Sequence, residues 1–100
     1  MSLFLDPLSF DWDKGNSEKN LKHNVSDQEI EEAFSDENKA TFKDHVHSQG
    51  EERFRIMGKT NLGRLLFIVF TMRLQKIRVI SARDINRKEV PLYEKKASIA

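Results

Sequence analysis

The sequence has no cysteine and little glycine or proline, and each shortage narrows what the chain can be. Without cysteine there are no disulfides, no thiolate metal ligands and no cysteine nucleophile. Four glycines and two prolines in 100 residues form no flexible linker and no glycine-rich phosphate loop, and no internal repeat is visible. We therefore expect one domain spanning residues 1–100, with a core too small for separate catalytic and cofactor domains.

Long apolar segments are also missing. The longest apolar run, Leu65 to Phe70, is far shorter than the roughly 18 residues that cross a bilayer. The first ten residues contain Asp6 and Pro7 but no lysine or arginine, so they lack the basic start of a signal peptide. These two absences predict a cytoplasmic protein that does not contact a membrane.

Arginine is absent from the first half of the chain and concentrated in the second. Residues 1–50 contain five lysines, no arginine and 11 acidic residues, a net charge of −6, whereas residues 51–100 carry a net charge of +7. The planar guanidinium group holds phosphate with two hydrogen bonds, so this asymmetry favours a polyanionic partner such as RNA. Composition leaves a second interpretation open, in which the two halves neutralise each other within the fold.

The first half of the chain predicts mainly helices. Aromatic and acidic side chains alternate over residues 10–13, which are a candidate first strand. Residues 14–24 are weakly helical. Ser26 and Glu29 then have the spacing of a capping box, and the apolar residues that follow at spacings of three and four lie on one helical face. A fragment at 40–42 could form a strand.

The second half begins with a clear strand signal. Residues 51–57 alternate with period two, which places Phe54 and Ile56 on the inner face of a sheet and Arg53 and Arg55 on the outer face. The apolar segment that follows the next turn has the composition of a central strand covered on both faces.

The last third of the chain predicts a meander followed by a helix. The central strand covers 64–73, a tight turn at 74–75 follows, and residues 76–83 form another strand. Asp84 is the predicted N-cap of a final helix, which Pro91 should break or kink. This order predicts an α+β fold, a small antiparallel sheet with helices packed on one face.

Strict alternation also predicts which arginines share a sheet face. In the last strand, alternation places Arg83 on the same face as Ile77 and Val79, whereas it places Arg78 on the same face as Ala82. An uncovered sheet face that carries several arginines suits RNA. Exposed strand faces also carry arginine for solubility and to block edge pairing, so the pattern alone permits either interpretation.

Four pieces of sequence, in a fixed order, carry a family resemblance. They are FDWDK at 10–14, NLKHNVS at 20–26, the segment 50–66 with GEERF, MG and GRLL, and ISAR at 80–83 followed by Arg87, Glu89 and Tyr93. By these motifs the chain resembles the BrnT toxins of type II toxin–antitoxin systems over residues 10–94, with residues 1–9 as an N-terminal extension. Asn24 replaces the family's glycine, a mild change because asparagine tolerates left-handed backbone, and Pro91 is a departure.

The resemblance implies a RelE-like ribonuclease fold and a metal-independent endoribonuclease that blocks translation. It also implies a BrnA-like antitoxin with a ribbon-helix-helix DNA-binding part, so the toxin itself is not expected to read DNA directly. A dimer or a higher assembly formed through the antitoxin stays open. The alternatives are a non-catalytic module that holds RNA or an acidic protein on the same face, and a decayed toxin.

Such RNA cleavage needs no cofactor and no metal, because the 2′-hydroxyl attacks the adjacent phosphate. The protein must supply a base, an acid and positive charge around the phosphate. The predicted catalytic residues are Arg83, Arg53, Arg73, Glu52 and His23. Arg83 is the first choice for a phosphate clamp, and its alternative role is a salt bridge to Glu89 or Asp84. His23 could relay a proton or pack as a structural imidazole against Trp12.

A second group of residues is predicted to contact RNA without taking part in the reaction. Its members are Arg55, Lys22, Arg78, Arg64 and Tyr93. Tyr93 also has a simpler interpretation, since an aromatic residue among apolar neighbours usually belongs to the core. The spacing of His45 and His47 could chelate zinc, but nothing later in the chain completes a site, and we reject that interpretation.

Overall fold

A computed structural model describes residues 9–21, 23–44 and 50–99, apart from the side chains at 18, 19 and 96–99. Most of the N-terminal extension, Lys22 and the segment with His45 and His47 lie outside the described residues. In the described ranges the elements are α1 (Lys14–Leu21), α2 (Asp27–Phe34), β1 (Ala40–Asp44), β2 (Arg53–Lys59), β3 (Leu65–Arg73), β4 (Lys76–Asp84) and α3 (Val90–Ile99). The strands form one antiparallel sheet in the order β1-β2-β3-β4, which confirms the α+β prediction.

Helix α2 begins at the predicted capping box. Ser26 Oγ accepts from the backbone N–H of Glu29 at 3.1 Å, and Glu29 Oε1 accepts from the backbone N–H of Ser26 at 3.0 Å. These bonds satisfy two donors at the start of the helix. The buried face of α2 consists of Ile30, Ala33 and Phe34, the residues that the period of the sequence selected.

The main core lies between α2 and one side of the sheet, here called the core face. It is formed by Ile56 of β2, by Leu66, Ile68 and Phe70 of β3, and by Ile77, Val79 and Ala82 of β4. Phe34 packs edge-on against Phe10 and Phe70, with ring centroids 5.3 and 5.0 Å away. Ring pairs at this distance add stability beyond the burial of their area.

The strand predicted at 10–13 is reduced to a single bridge. Phe10 pairs in parallel with Ile77, where Asp11 N donates to Ile77 O and Ile77 N donates to Ser9 O, both at 2.8 Å. At the same end of β4, the turn predicted at Leu74 and Gln75 is present. Both of its residues have positive φ, 50° and 65°, as a two-residue hairpin turn requires.

A β-bulge in β4 corrects the predicted facing of the arginines. Val69 pairs with Ser81 and Phe70 pairs with Val79, so Ile80 has no partner and the alternation skips one residue. As a result Ala82 joins Val79 on the core face, while Ser81 and Arg83 project from the opposite side, here called the outer face. Arg78 is also on the outer face, since it is opposite Thr71 and adjacent to two core residues. The side-chain facing predicted from strict alternation is therefore wrong for β4.

Three further expectations about the end of the chain are also wrong. Asp84 does not cap a helix but ends β4, and α3 begins at Val90. Pro91 neither breaks nor kinks α3, because it lies in the first turn, where a missing N–H breaks no helical hydrogen bond. Helices do not lie on one face only, since Tyr93 of α3 packs against Ala40 and Met57 on the outer face.

Tyr93 belongs to this second, smaller core. Its side chain is 4% exposed, and its hydroxyl donates to Asp36 Oδ2 at 2.6 Å, which ties α3 to the loop after α2. Burial, together with the nearby Asp36 carboxylate, raises the pKa of Tyr93 to about 12. The buried ring and the engaged hydroxyl support the structural interpretation of Tyr93, and its contact with RNA stays a prediction.

The titration of Tyr93 tests this packing directly, because Tyr93 is the only tyrosine in the sequence. The ultraviolet absorbance of its phenolate should give a midpoint near 12 in the folded protein and near 10 after unfolding in urea. Since folding raises this pKa, the stability that it contributes is complete below about pH 10 and is lost as the pH rises through 12. A midpoint near 10 in the folded protein would show that Tyr93 is not buried beside Asp36.

Candidate functional site

Two arginines and two phenylalanines meet on the outer face of the sheet. Arg55 of β2 pairs with Val69, and Arg83 of β4 pairs with Phe67, two residues earlier on the intervening strand β3. Two residues along a strand span about 7 Å. The bulge in β4 therefore brings Arg83 to the same face as Arg55, with one strand between them.

Arg83 is held rigidly by three contacts. Its guanidinium carbon lies 4.2 Å from the ring centroid of Phe67. Nη1 and Nη2 donate to the two carboxylate oxygens of Glu89 at 2.9 and 2.8 Å, and Nη1 also donates to the backbone oxygen of Asp84 at 3.0 Å. The salt bridge with Glu89, one of the predicted roles of Arg83, is thus present. The Nε N–H and the second N–H of Nη2 form the other edge of the guanidinium, and they donate to no group in the described part of the chain.

Glu89 is fixed from its own side as well. Its backbone N–H donates to Asn86 Oδ1 at 3.0 Å, and its carboxylate accepts from the backbone N–H of Asn86 at 2.9 Å. The hydrogen bond from Arg83 lowers the pKa of Glu89, with smaller contributions from Asn86 and from the charge of Arg55. The Glu89 carboxylate is therefore ionised at neutral pH, and its negative charge holds the Arg83 guanidinium in place.

Arg55 borders a small cavity between the outer face and the start of α3. Its guanidinium carbon lies 5.9 Å from the ring centroid of Phe42, and its buried Nε has no hydrogen-bond partner among the described residues. The cavity has a volume of about 110 Å³ and is lined by Phe42, Arg55, Met57, Phe67, Glu89 and Leu92. It joins the Arg83 site because Phe67 and Glu89 belong to both.

The remaining arginines of the sheet form a separate group at its turn end, near the β3–β4 hairpin. Arg73 donates to Glu51 at 2.9 and 3.2 Å, and Arg78 donates to Asp13 at 2.7 Å and lies 3.5 Å from Asp11. Along β3, Arg73 is six residues from the partner of Arg83, a distance of about 20 Å. The five predicted catalytic residues therefore do not form one site.

Arg53 and Glu52 lie closer to this turn end than to Arg83. Arg53 is opposite Asp44 of β1 and is two residues farther from Arg83 than Arg55 is. The carboxylate of Glu52 is exposed and pairs with Lys43 Nζ at 3.2 Å. A charge pair in this setting is usually worth less than about 1 kcal/mol, and it leaves Glu52 solvated.

Arg64 joins three segments of the chain instead of facing a ligand. It donates to the Asp84 carboxylate at 2.6 and 3.1 Å, to Glu29 at 3.0 Å, and to the backbone oxygens of Asn24 and His23 at 2.7 and 3.4 Å. Its bond to Asp84, with a further contribution from Glu29, raises the pKa of Arg64. With every donor nitrogen engaged within the protein, Arg64 has a structural role, and its contact with RNA stays a prediction.

His23 lies at the same end of the sheet as Arg83. Its carbonyl accepts from Arg64, Arg64 also holds the Asp84 carboxylate, and the Asp84 backbone oxygen accepts from Arg83. The side chain of His23 is exposed. The predicted partner of the imidazole, Trp12, donates its ring N–H to Glu31 at 2.8 Å. Lys22, predicted beside His23, lies outside the described residues.

Sequence reasoning missed two aromatic members of this site and underrated a third residue. Phe42 and Phe67 were not among the predicted site residues, and Glu89 was considered only as a salt-bridge partner. The alternation of β3 does place Phe67 on one face with Val69 and Arg73. That signal could have singled out Phe67, but only the bulge at Ile80 shows that Arg83 shares its face.

Together these features define a small α+β protein whose outer sheet face carries guanidinium groups and aromatic rings, an arrangement suited to an extended polyanion. The model of a family described as the ribonuclease toxin BrnT of type II toxin–antitoxin systems matches residues 12–89. The chain belongs to this family of ribonuclease toxins, which implies a protein antitoxin as partner and confirms the resemblance seen in the sequence motifs. A search of curated proteins finds no match.

Membrane insertion gains no support from the helices. None of those in the described ranges combines the length and the apolar character that a membrane span requires.

Proposed function

We propose that the chain is an endoribonuclease that cleaves RNA without a metal ion and holds the scissile phosphate at Arg83. The observation that carries this proposal is the fixed geometry of Arg83. Glu89 and Phe67 hold its guanidinium, while the edge with Nε and Nη2 stays available for two hydrogen bonds to phosphate oxygens. Membership of a ribonuclease toxin family supports the same assignment.

RNA supplies its own nucleophile, which is why the reaction needs no metal-bound water. The 2′-oxygen attacks the adjacent phosphorus and the bond to the 5′-oxygen breaks, giving a 2′,3′-cyclic phosphate and a 5′-hydroxyl end. The 2′-hydroxyl loses a proton and the leaving oxygen gains one, so the step is balanced without water. In this proposal Arg83 stabilises the charge of the phosphorane, a role worth about 3–4 kcal/mol for a well-placed donor.

His23 is the proposed proton-transfer residue. An imidazole can both accept and donate a proton, and a positioned group of this kind contributes roughly 10²–10⁴-fold. The exposed imidazole and the chain of hydrogen bonds from its backbone through Arg64 and Asp84 to Arg83 support this role.

Inhibition follows from the same surface. We propose that a BrnA-like antitoxin with a ribbon-helix-helix DNA-binding part covers the outer face, and that this antitoxin, not the toxin, reads DNA. An acidic segment over Arg55 and Arg83 would displace RNA by competing for the same donors. The toxin then acts on cytoplasmic RNA and blocks translation only when the antitoxin is absent.

The experiment is cleavage of a defined RNA by the purified chain with and without EDTA. We expect fragments with 2′,3′-cyclic phosphate and 5′-hydroxyl ends, at the same rate in both buffers, and growth arrest when the chain is expressed without its antitoxin. Loss of cleavage in EDTA that added Mg²⁺ restores would contradict metal independence. RNA binding without any cleavage would instead support the non-catalytic alternative.

A further inference from the structure

We infer that the cavity beside Arg55 binds one unpaired nucleobase of the RNA strand, next to the phosphate held at Arg83. This inference deepens the proposed function and rests on it, because it assigns the substrate as single-stranded RNA with a base turned out of the stack. It follows from the size and lining of the cavity, from an unsatisfied donor on one of its lining residues and from its connection to Arg83.

The size and the lining of the cavity fit a nucleobase. Its volume of about 110 Å³ is well below the roughly 300–1,000 Å³ of pockets that enclose a whole small-molecule ligand, so it suits a base and not a whole nucleotide. Two of its lining residues, Phe42 and Phe67, offer aromatic rings, and Met57 and Leu92 complete an apolar lining. Proteins bind unstacked bases on such rings, since every base has a π-face.

Arg55, one of the residues that line the cavity, has a donor without an acceptor among the described residues. Arg55 Nε is buried and has no hydrogen-bond partner among them. Leaving such a group unpaired is unfavourable, and native proteins rarely do so without a ligand or water to complete it. The Arg55 guanidinium group can donate to a ring nitrogen or carbonyl oxygen on a base edge, and the Glu89 carboxylate at the same cavity can accept from an amino group of the base.

The position of the cavity fits a base that belongs to the cleaved nucleotide or its neighbour. Phe67 lines the cavity and also lies under the guanidinium of Arg83 at 4.2 Å. Glu89 lines the cavity and holds the same guanidinium from the other side. A phosphate at Arg83 and a base beside Arg55 are therefore adjacent, as they are within one strand, whereas a duplex keeps its bases stacked and out of reach.

The test uses a short RNA in which every 2′-hydroxyl but one is methylated, so that only one phosphate can be attacked. The reference oligonucleotide carries all its bases. A second oligonucleotide lacks only the base on the 5′ side of the cleavable linkage, and a third lacks only the base on the 3′ side. We expect removal of one of these two bases to lower kcat/KM by about 5- to 100-fold, in line with base–aromatic stacking. Pairing the reference with a complementary strand should reduce its cleavage at least as much.

Variants assign the effect to the cavity. Phe42→Leu and Phe67→Leu keep apolar volume but lose the flat ring, so both should reduce the difference between the reference and the abasic oligonucleotide. Leu62→Ala, at a side chain that is 99% exposed, is the matched control and should keep the full difference. Thermal unfolding of each variant checks that the fold is intact.

Two results would overturn the proposals, and they are distinguishable. Equal cleavage of the reference and of both abasic oligonucleotides would rule out a base-binding cavity and leave the ribonuclease activity in place. Failure of the wild-type chain to cleave either the reference or unmodified RNA would overturn the proposed function, and the cavity assignment with it.

Discussion

Replacing Arg83 with methionine is expected to lower kcat/KM for RNA cleavage by about 100- to 1000-fold and to abolish growth arrest. Methionine keeps an unbranched side chain that can still lie over Phe67, but it removes both the positive charge and the two donors proposed to face the phosphate. The kcat/KM of Arg83→Lys should lie between those of the wild type and Arg83→Met, because lysine keeps the charge without the planar fork. Cleavage of a labelled oligonucleotide gives the three values.

The control for this prediction separates catalysis from stability. Arg83→Met also leaves Glu89 without its ion-pair partner, but Arg83 is 40% exposed, so solvent screening limits that loss to about 1 kcal/mol. Arg87→Met, which removes an exposed guanidinium from the turn before α3, should keep activity within about twofold. A fully active Arg83→Met protein would show that the Arg83–Glu89 pair only supports the fold.

Local patterns predicted the elements that depend on near neighbours in the chain. The capping box at Ser26 and Glu29 involves residues three apart, and the facing of Phe54 and Ile56 follows from alternation within one strand. In both cases the physical cause lies within a few residues, so the sequence alone was sufficient.

Features that depend on pairing between distant segments could not be predicted in this way. The bulge at Ile80 exists only relative to β3, and it reverses the facing that alternation assigned to Arg83. Arg64 bonds to groups 20 to 41 residues away in the sequence, so no local pattern distinguishes it from an exposed arginine. Parity and composition predicted an arginine-bearing outer face but not which arginines come together there.

The second large effect concerns Gly58, where β2 lies close to the backbone of α2 at Ala33. A Cβ atom added at Gly58 would lie 2.3 Å from the backbone oxygen of Ala33 and 2.9 Å from its carbonyl carbon. Both atoms belong to the helix backbone, so relief requires α2 to move away from the core face, where Phe34 packs against Phe70. We expect Gly58→Ala to lower the free energy of unfolding by about 3 kcal/mol, measured by urea denaturation.

That loss is large for a chain of this size, because small domains are stable by only about 5–15 kcal/mol in total. Gly63→Ala is the matched control: Gly63 has a φ of +91° and open space around its Cα, so alanine there costs only backbone strain of about 1–2 kcal/mol. Ala33→Gly should not rescue Gly58→Ala, since the contact involves the backbone of Ala33 and not its methyl group. Wild-type stability in Gly58→Ala would contradict this close approach and the position of α2 that depends on it.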